Sequence, residues 1–158
     1  MHNIWKDEFQ SFAAEPPSGQ LNPANENLYD VLGEVYKDFI ESFLVHTGTS
    51  KPNHLSMFHM GGDEVNFQCW YQEKSIRDWM INNHFEVNPS VTPEGYLKLW
   101  ATFQEKALQK LVKANGDVKF KDGIILWTSE LTKPDKIFKY CRFRNVSSPI
   151  KLTISPCF

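Results

Sequence analysis

The chain predicts an α/β fold with a parallel sheet, on three observations. Two short apolar runs, 55–60 and 124–127, read as buried strands. Stretches with apolar residues at spacings of three and four precede and separate them, as amphipathic helices do. The order helix, strand, helices, strand is that of a parallel sheet covered by its crossover helices. At 158 residues, 41% hydrophobic and 14% aromatic, the chain can bury a core and reads as one domain or part of one.

In order, Met1 to Ala14 is mixed and gives no firm element. Glu15-Pro16-Pro17-Ser18-Gly19-Gln20-Leu21-Asn22-Pro23 is turn-rich and reads as a long loop. Asn25 is placed to cap a helix. After it, Leu28, Val31, Leu32, Val35, Tyr36, Phe39, Ile40, Phe43 and Leu44 form the clearest amphipathic pattern in the chain, a helix expected to cover the sheet. His46 to Asn53 is a polar connection. Leu55 to Met60 reads as a buried strand ending at Gly61-Gly62. Ser75 to Phe85 predicts a short helix with Ile76, Trp79 and Met80 inward, ended by Asn82-Asn83-His84, where His84 reads as a capping or surface residue rather than a ligand. Thr92-Pro93 opens a longer helix, Thr as cap and Pro in the first turn. Its buried face is Tyr96, Leu97, Trp100, Phe103, Ala107, Leu108 and Leu111, and Asn115-Gly116 closes it. Gly123 to Thr128 is the second buried strand.

Charge narrows the function. A net charge of −2 and a pI near 6.2 come with no basic patch, which argues against nucleic acid as a partner. No apolar run approaches the ~20 residues of a membrane helix. Met1 to Glu8 has no hydrophobic segment and does not read as a signal peptide. Cys69, Cys141 and Cys157 make no disulfide framework. With no His/Cys cluster at ligand spacing, neither a metal nor a cofactor is expected. Asn145-Val146-Ser147 matches the glycosylation pattern.

The chemistry is concentrated in Phe58-His59-Met60-Gly61-Gly62-Asp63-Glu64-Val65, followed by Cys69-Trp70. Glycine at a strand end permits unusual backbone angles and close approach by a ligand. In a continuing strand Asp63 and Glu64 would face opposite ways; once the strand ends, both can turn into one pocket. Adjacent carboxylates repel, so one holds its proton longer, as a general acid beside a charged partner requires. A bare Gly-Gly-Asp-Glu also fits a solvated acidic turn. The same tetrad occurs in diguanylate cyclases, but there Phe follows where this chain has Val65, and the family's upstream metal and nucleotide elements have no counterpart here.

The longer string closely resembles the catalytic strand of family 20 β-N-acetylhexosaminidases, the insect-type enzymes in particular. Ile125-Leu126-Trp127 resembles a second strand of that family. The resemblance runs from Pro16 to Lys136 and implies a partial (β/α)8 barrel covering the middle strands and helices, with site residues at the carboxyl ends of the strands. It implies hydrolysis of terminal β-linked N-acetylhexosamine, in N-acetylhexosamine-containing glycans or chitin oligomers, with Glu64 as general acid and Asp63 orienting the substrate's acetamido group. Trp127 would wall the acetamido pocket. His59 is expected to be a buried structural histidine rather than a group tuning the carboxylates. Glu15 reads as a solvated loop charge, or as a residue reaching a leaving sugar. In the insect-type enzymes a Cys stands at the position of Ser18 and pairs with the one matching Cys69. The resembled enzymes are secreted or lysosomal, so an opening with no signal peptide suggests a chain that begins mid-protein; the resemblance allows a homodimer of the full-length enzyme.

The expected division is therefore a partial catalytic domain, 1–136, and a divergent C-terminal tail, 137–158, resembling no segment of the family and read as a truncated or misjoined terminus. Because a barrel of this type takes about 250 residues, a rival reading is a catalytically inactive fragment that at most binds sugar or a partner.

Overall fold

The computed structural model describes residues 7–14, 19–46, 54–62, 65–88, 90, 92–141 and 150–153. A 3-10 helix at Asp7–Phe12 is followed by α1 (Glu26–His46), β1 (Met57–His59), α2 (Phe67–Gln72), α3 (Lys74–Asn82), α4 (Glu94–Ala114), β2 (Gly123–Trp127), α5 (Pro134–Tyr140) and β3 (Ile150–Thr153). The three strands form one parallel sheet in the order β1-β2-β3. Met57 stands opposite Gly123 and His59 opposite Ile125; on the other side Trp127 stands opposite Thr153. The chain is thus an α/β domain with a small parallel sheet.

Strand alternation decides what the sheet buries. Phe58, Ile124 and Leu126 point to one face and pack with Ile40, Leu108, Leu111 and Phe120 beneath α1 and α4. Phe58 is ringed by Tyr36 at 5.9 Å, Phe39 at 5.6 Å and Phe120 at 6.2 Å, each pair worth about 0.5–1.5 kcal/mol beyond area burial. Met57 and His59 point to the opposite face and are exposed. A second cluster, built on Trp70, Ile76, Met80, Tyr96, Leu97, Trp100, Leu131 and Ile137, joins α2, α3, α5 and the first half of α4.

The helix boundaries follow their caps. Asn25 Oδ1 accepts the Asn27 N–H at 3.1 Å, and Thr92 Oγ1 accepts the Glu94 N–H at 3.2 Å. Past α4, Gly116 takes φ +74°, where the chain leaves the helix. The expected buried face of α4 is found as read, with Phe103 half-buried at its edge against Tyr29. His84 is exposed, with φ +60° after α3.

Some expectations are corrected. The 55–60 strand is shorter, Met57–His59; Leu55, Phe58 and Met60 pack half-buried against the core, whereas Met57 and His59 are exposed on the other face. The helix expected at 75–85 is Lys74–Asn82, with Ile76 and Met80 fully buried and Trp79 half-buried against Phe85. The apolar stripe of α1 splits into two ridges. Leu28, Leu32, Tyr36, Ile40 and Leu44 turn inward, whereas Val31, Val35, Phe39 and Phe43 are 39–54% exposed. The helix packs chiefly on α4, which covers only the inner ridge. Two short helices, α2 and α5, and strand β3 had no sequence reading. β3 lies within 137–158 and pairs with β2.

Candidate active site

The site region is the carboxyl end of β1 and β2. Backbone pairing outlasts the strand: Met60 N–H donates to the Ile125 carbonyl at 2.9 Å, and Trp127 N–H to the Gly61 carbonyl at 3.4 Å. Gly61 and Gly62 then take φ +66° and +80°. Two successive left-handed residues end the extended run abruptly, and glycine alone enters that region without a Cβ penalty. Gly62 is also a close approach, because a Cβ there would lie 1.9 Å from Gln104 Nε2. Gln104 projects from α4 and is 2% exposed.

Asp63 and Glu64 lie outside the described residues, and both flanks of the pair are held. Downstream, Asn66 Oδ1 caps α2 by accepting the Gln68 N–H at 2.9 Å. The Gln20 side chain grips the same residue twice: Oε1 accepts the Asn66 N–H at 2.8 Å and Nε2 donates to the Asn66 carbonyl at 2.7 Å. Trp70 Nε1–H donates to the Leu21 carbonyl at 3.0 Å. Phe67 lies 5.6 Å from Tyr96 and edge-on to Trp100 at 6.1 Å. Burial pushes the Tyr96 phenol up to about 12, and its hydroxyl donates to the Val87 carbonyl at 2.8 Å, so it acts here as a neutral anchor.

Trp127 ends β2 half-buried, its ring 4.6 Å from that of His59 at an angle of 52°. Behind it, Thr132 Oγ1 donates to the Trp127 carbonyl at 3.2 Å and accepts the Ser129 N–H at 2.6 Å, which fixes the turn leaving the strand. His59 is exposed rather than the buried structural histidine expected. Its Nδ1 accepts the Gly61 N–H at 3.0 Å. The reason is the alternation of β1, in which Phe58 takes the core side and leaves residue 59 on the open face.

The structure brings Trp127 beside the glycine turn that leads to the carboxylates. Glu15, Ser18, Cys157 and the 145–147 sequon lie outside the described residues. Cys69 is half-buried in α2. Sequence reasoning missed Gln20 and Gln104. A Gln in the buried stripe of α4 was a legible signal; nothing in the sequence marked Gln20, whose partner is 46 residues away. Among the described residues no cluster of three or more His, Cys, Asp or Glu could hold a metal ion, and no helix is long and apolar enough to cross a membrane.

The glycosyl hydrolase family 20 catalytic domain model matches residues 2–143. Over 134 residues, 85% of this chain, it is 40% identical to a chitooligosaccharidolytic β-N-acetylglucosaminidase of Ostrinia furnacalis and 38% identical to one of Bombyx mori. Over 109 residues it is 28% identical to the human β-hexosaminidase subunit beta, covering 69% of this chain and 16% of that protein. The chain spans about a fifth of the length of the two insect relatives.

Proposed function

Because this chain belongs to glycosyl hydrolase family 20, we propose that it carries the acid end of a site hydrolysing terminal β-linked N-acetylhexosamine, from glycans or chitin oligomers. One observation carries the reading: the left-handed Gly61-Gly62 turn before the Asp63-Glu64 pair lies against Trp127 at the end of the neighbouring parallel strand. A carboxylate pair and an aromatic wall side by side at strand carboxyl ends are what a sugar-cleaving site in a (β/α)8 barrel needs. The three parallel strands would be consecutive strands of that barrel.

In this mechanism Glu64 protonates the glycosidic oxygen and later takes a proton from water. The nucleophile is the substrate's own acetamido oxygen, which attacks the anomeric carbon and closes an oxazolinium-like ring, so configuration is retained after water opens it. Asp63 orients the acetamido group and offsets the positive charge developing on it. Trp127 packs on the acetamido methyl or the sugar face. No step calls on a metal or cofactor. The whole protein is proposed to act outside the cytoplasm, secreted or lysosomal, where such glycans are met.

A second reading is favoured by the open sheet. Three parallel strands stand among the described residues where a closed barrel has eight, and pocket walls from other strands are not among the described residues. Misplacing a reacting group by about 1 Å can cost on the order of a hundredfold. The 158-residue chain on its own is therefore proposed to be inactive, binding sugar at most. The test is turnover of a fluorogenic β-N-acetylglucosaminide by this chain and by the complete gene product. Activity in the complete protein that Glu64→Gln removes supports the first reading. Glu64-dependent turnover by the 158 residues alone would overturn the second.

A further inference from the structure

We propose that His59 is a positioning residue that ties the acetamido wall to the carboxylate turn, holding Trp127 through its ring and the Gly61-Gly62 turn through its Nδ1. The inference rests on the proposed roles of Trp127 and the Asp63-Glu64 pair.

Two contacts, made by opposite parts of one imidazole, carry it. The ring lies 4.6 Å from that of Trp127, tilted by 52°, within the range of an attractive aromatic pair. Nδ1 accepts the Gly61 N–H at 3.0 Å. An Nδ1 that accepts must be unprotonated, so neutral His59 carries its proton on Nε2. The contact fixes both the tautomer and the ring plane, and hence the plane against which Trp127 packs. The backbone supplies the third link, because the Trp127 N–H donates to the Gly61 carbonyl. Gly61 is therefore held on its N–H by His59 and on its carbonyl by Trp127, two residues before Asp63. Nothing stands within 4 Å of where a Cβ of Gly61 would be, so no contact on that side braces it. His59 is exposed, which argues against a core-filling role.

The two contacts can be separated by substitution. Asn at position 59 can accept the N–H two residues on, as Asx turns do, but loses the ring. Phe keeps the ring and loses the acceptor. The experiment takes the 158-residue chain with His59→Asn and His59→Phe, each with and without Trp127→Phe, so that the difference isolates Trp127 emission. Amide exchange at Gly61 and Gly62 is read in parallel. The expected result is crossed. His59→Asn shifts Trp127 emission to the red with exchange near wild type; His59→Phe leaves the emission and speeds exchange at the two glycines about tenfold or more. In the complete protein the same pair should split, Asn raising KM and Phe lowering kcat. Both variants matching wild type in emission and exchange would overturn the proposal, as would both changing together with lost helical circular dichroism, which marks a merely structural residue. The reading of the site fails separately: N-acetylglucosamine that leaves wild-type Trp127 emission unchanged in the complete protein removes the acetamido wall, whatever His59 does.

Discussion

Gly61 and Gly62 are kept as glycine by different forces. Both have positive φ, but space around Gly61 is open, whereas Gly62 abuts the buried amide of Gln104. Gly61→Ala should cost about 1–2 kcal/mol, the left-handed penalty alone. Gly62→Ala should cost more, by about 1–3 kcal/mol, because Gln104 must also move within a packed core. Urea midpoints of the two variants check the order; equal losses would mean that Gln104 yields freely. Asp63 and Glu64 should fail differently in the complete enzyme. Glu64→Gln should slow substrates with poor leaving groups most, because they need the proton. Asp63→Asn should slow all leaving groups alike, because the acetamido nucleophile is no longer oriented. Rates on two leaving groups decide, and identical profiles would refute the division of roles.

At the scale of elements, side chains far apart in sequence align the parts. Asn115, 1% exposed at the end of α4, accepts the Leu55 N–H at 2.7 Å and donates to the Leu55 and Val118 carbonyls at 3.0 Å. It fixes the entry of β1 against α4. Asn115→Ala would leave part-buried backbone groups of Leu55 and Val118 without their side-chain partner and should cost about 1–3 kcal/mol, since water relieves part of the loss; a urea midpoint measures it. Helix α5 is fastened to α4 at Glu94, whose Oε1 takes the Lys139 ammonium at 2.7 Å and the Tyr140 hydroxyl at 2.9 Å. The Lys139 hydrogen bond, then that of Tyr140, holds the Glu94 carboxyl below its ordinary 4.5. A depressed folded value means the contribution is complete above pH 4.5 and is lost as pH falls through the folded value. Lys139 is held above its ordinary 10.5, first by Glu94, so its share is present below that pH and lost as pH rises through the folded value. Both groups are about half exposed, so the effect is small. Glu94→Gln should flatten the acid limb of stability, seen in urea midpoints above and below pH 4.5; an unchanged limb would place it elsewhere.

For the whole molecule, the outer ridge of α1 is the consequential surface. Val31, Val35, Phe39 and Phe43 form an exposed apolar band along α1. It runs beside β1, whose outer edge carries no strand among the described residues. Apolar patches and open strand edges drive association. The 158-residue chain alone should therefore run as mixed oligomers on size exclusion with light scattering. Phe39→Lys with Phe43→Glu should shift it toward monomer while helical circular dichroism is kept. A monodisperse wild-type monomer would show that the band is covered within the chain.

The sequence by itself determined the α/β class, the two long helices with Asn25 and Thr92 just ahead of their first turns, the burial stripe of α4 and the second strand. Each depends on local periodicity and capping, and these act within a few residues of one another. The family was legible too, because the strand-end string around Gly61-Gly62 is contiguous. Tertiary structure alone decided which ridge of the α1 stripe was inside, because periodicity marks an apolar face without saying how many neighbours it meets. It decided that His59 turns outward onto Trp127, a matter of strand register over 68 residues. It also paired Gln20 with Asn66 and added β3 beside β2, since hydrogen bonds between distant segments leave no spacing for a sequence pattern to carry.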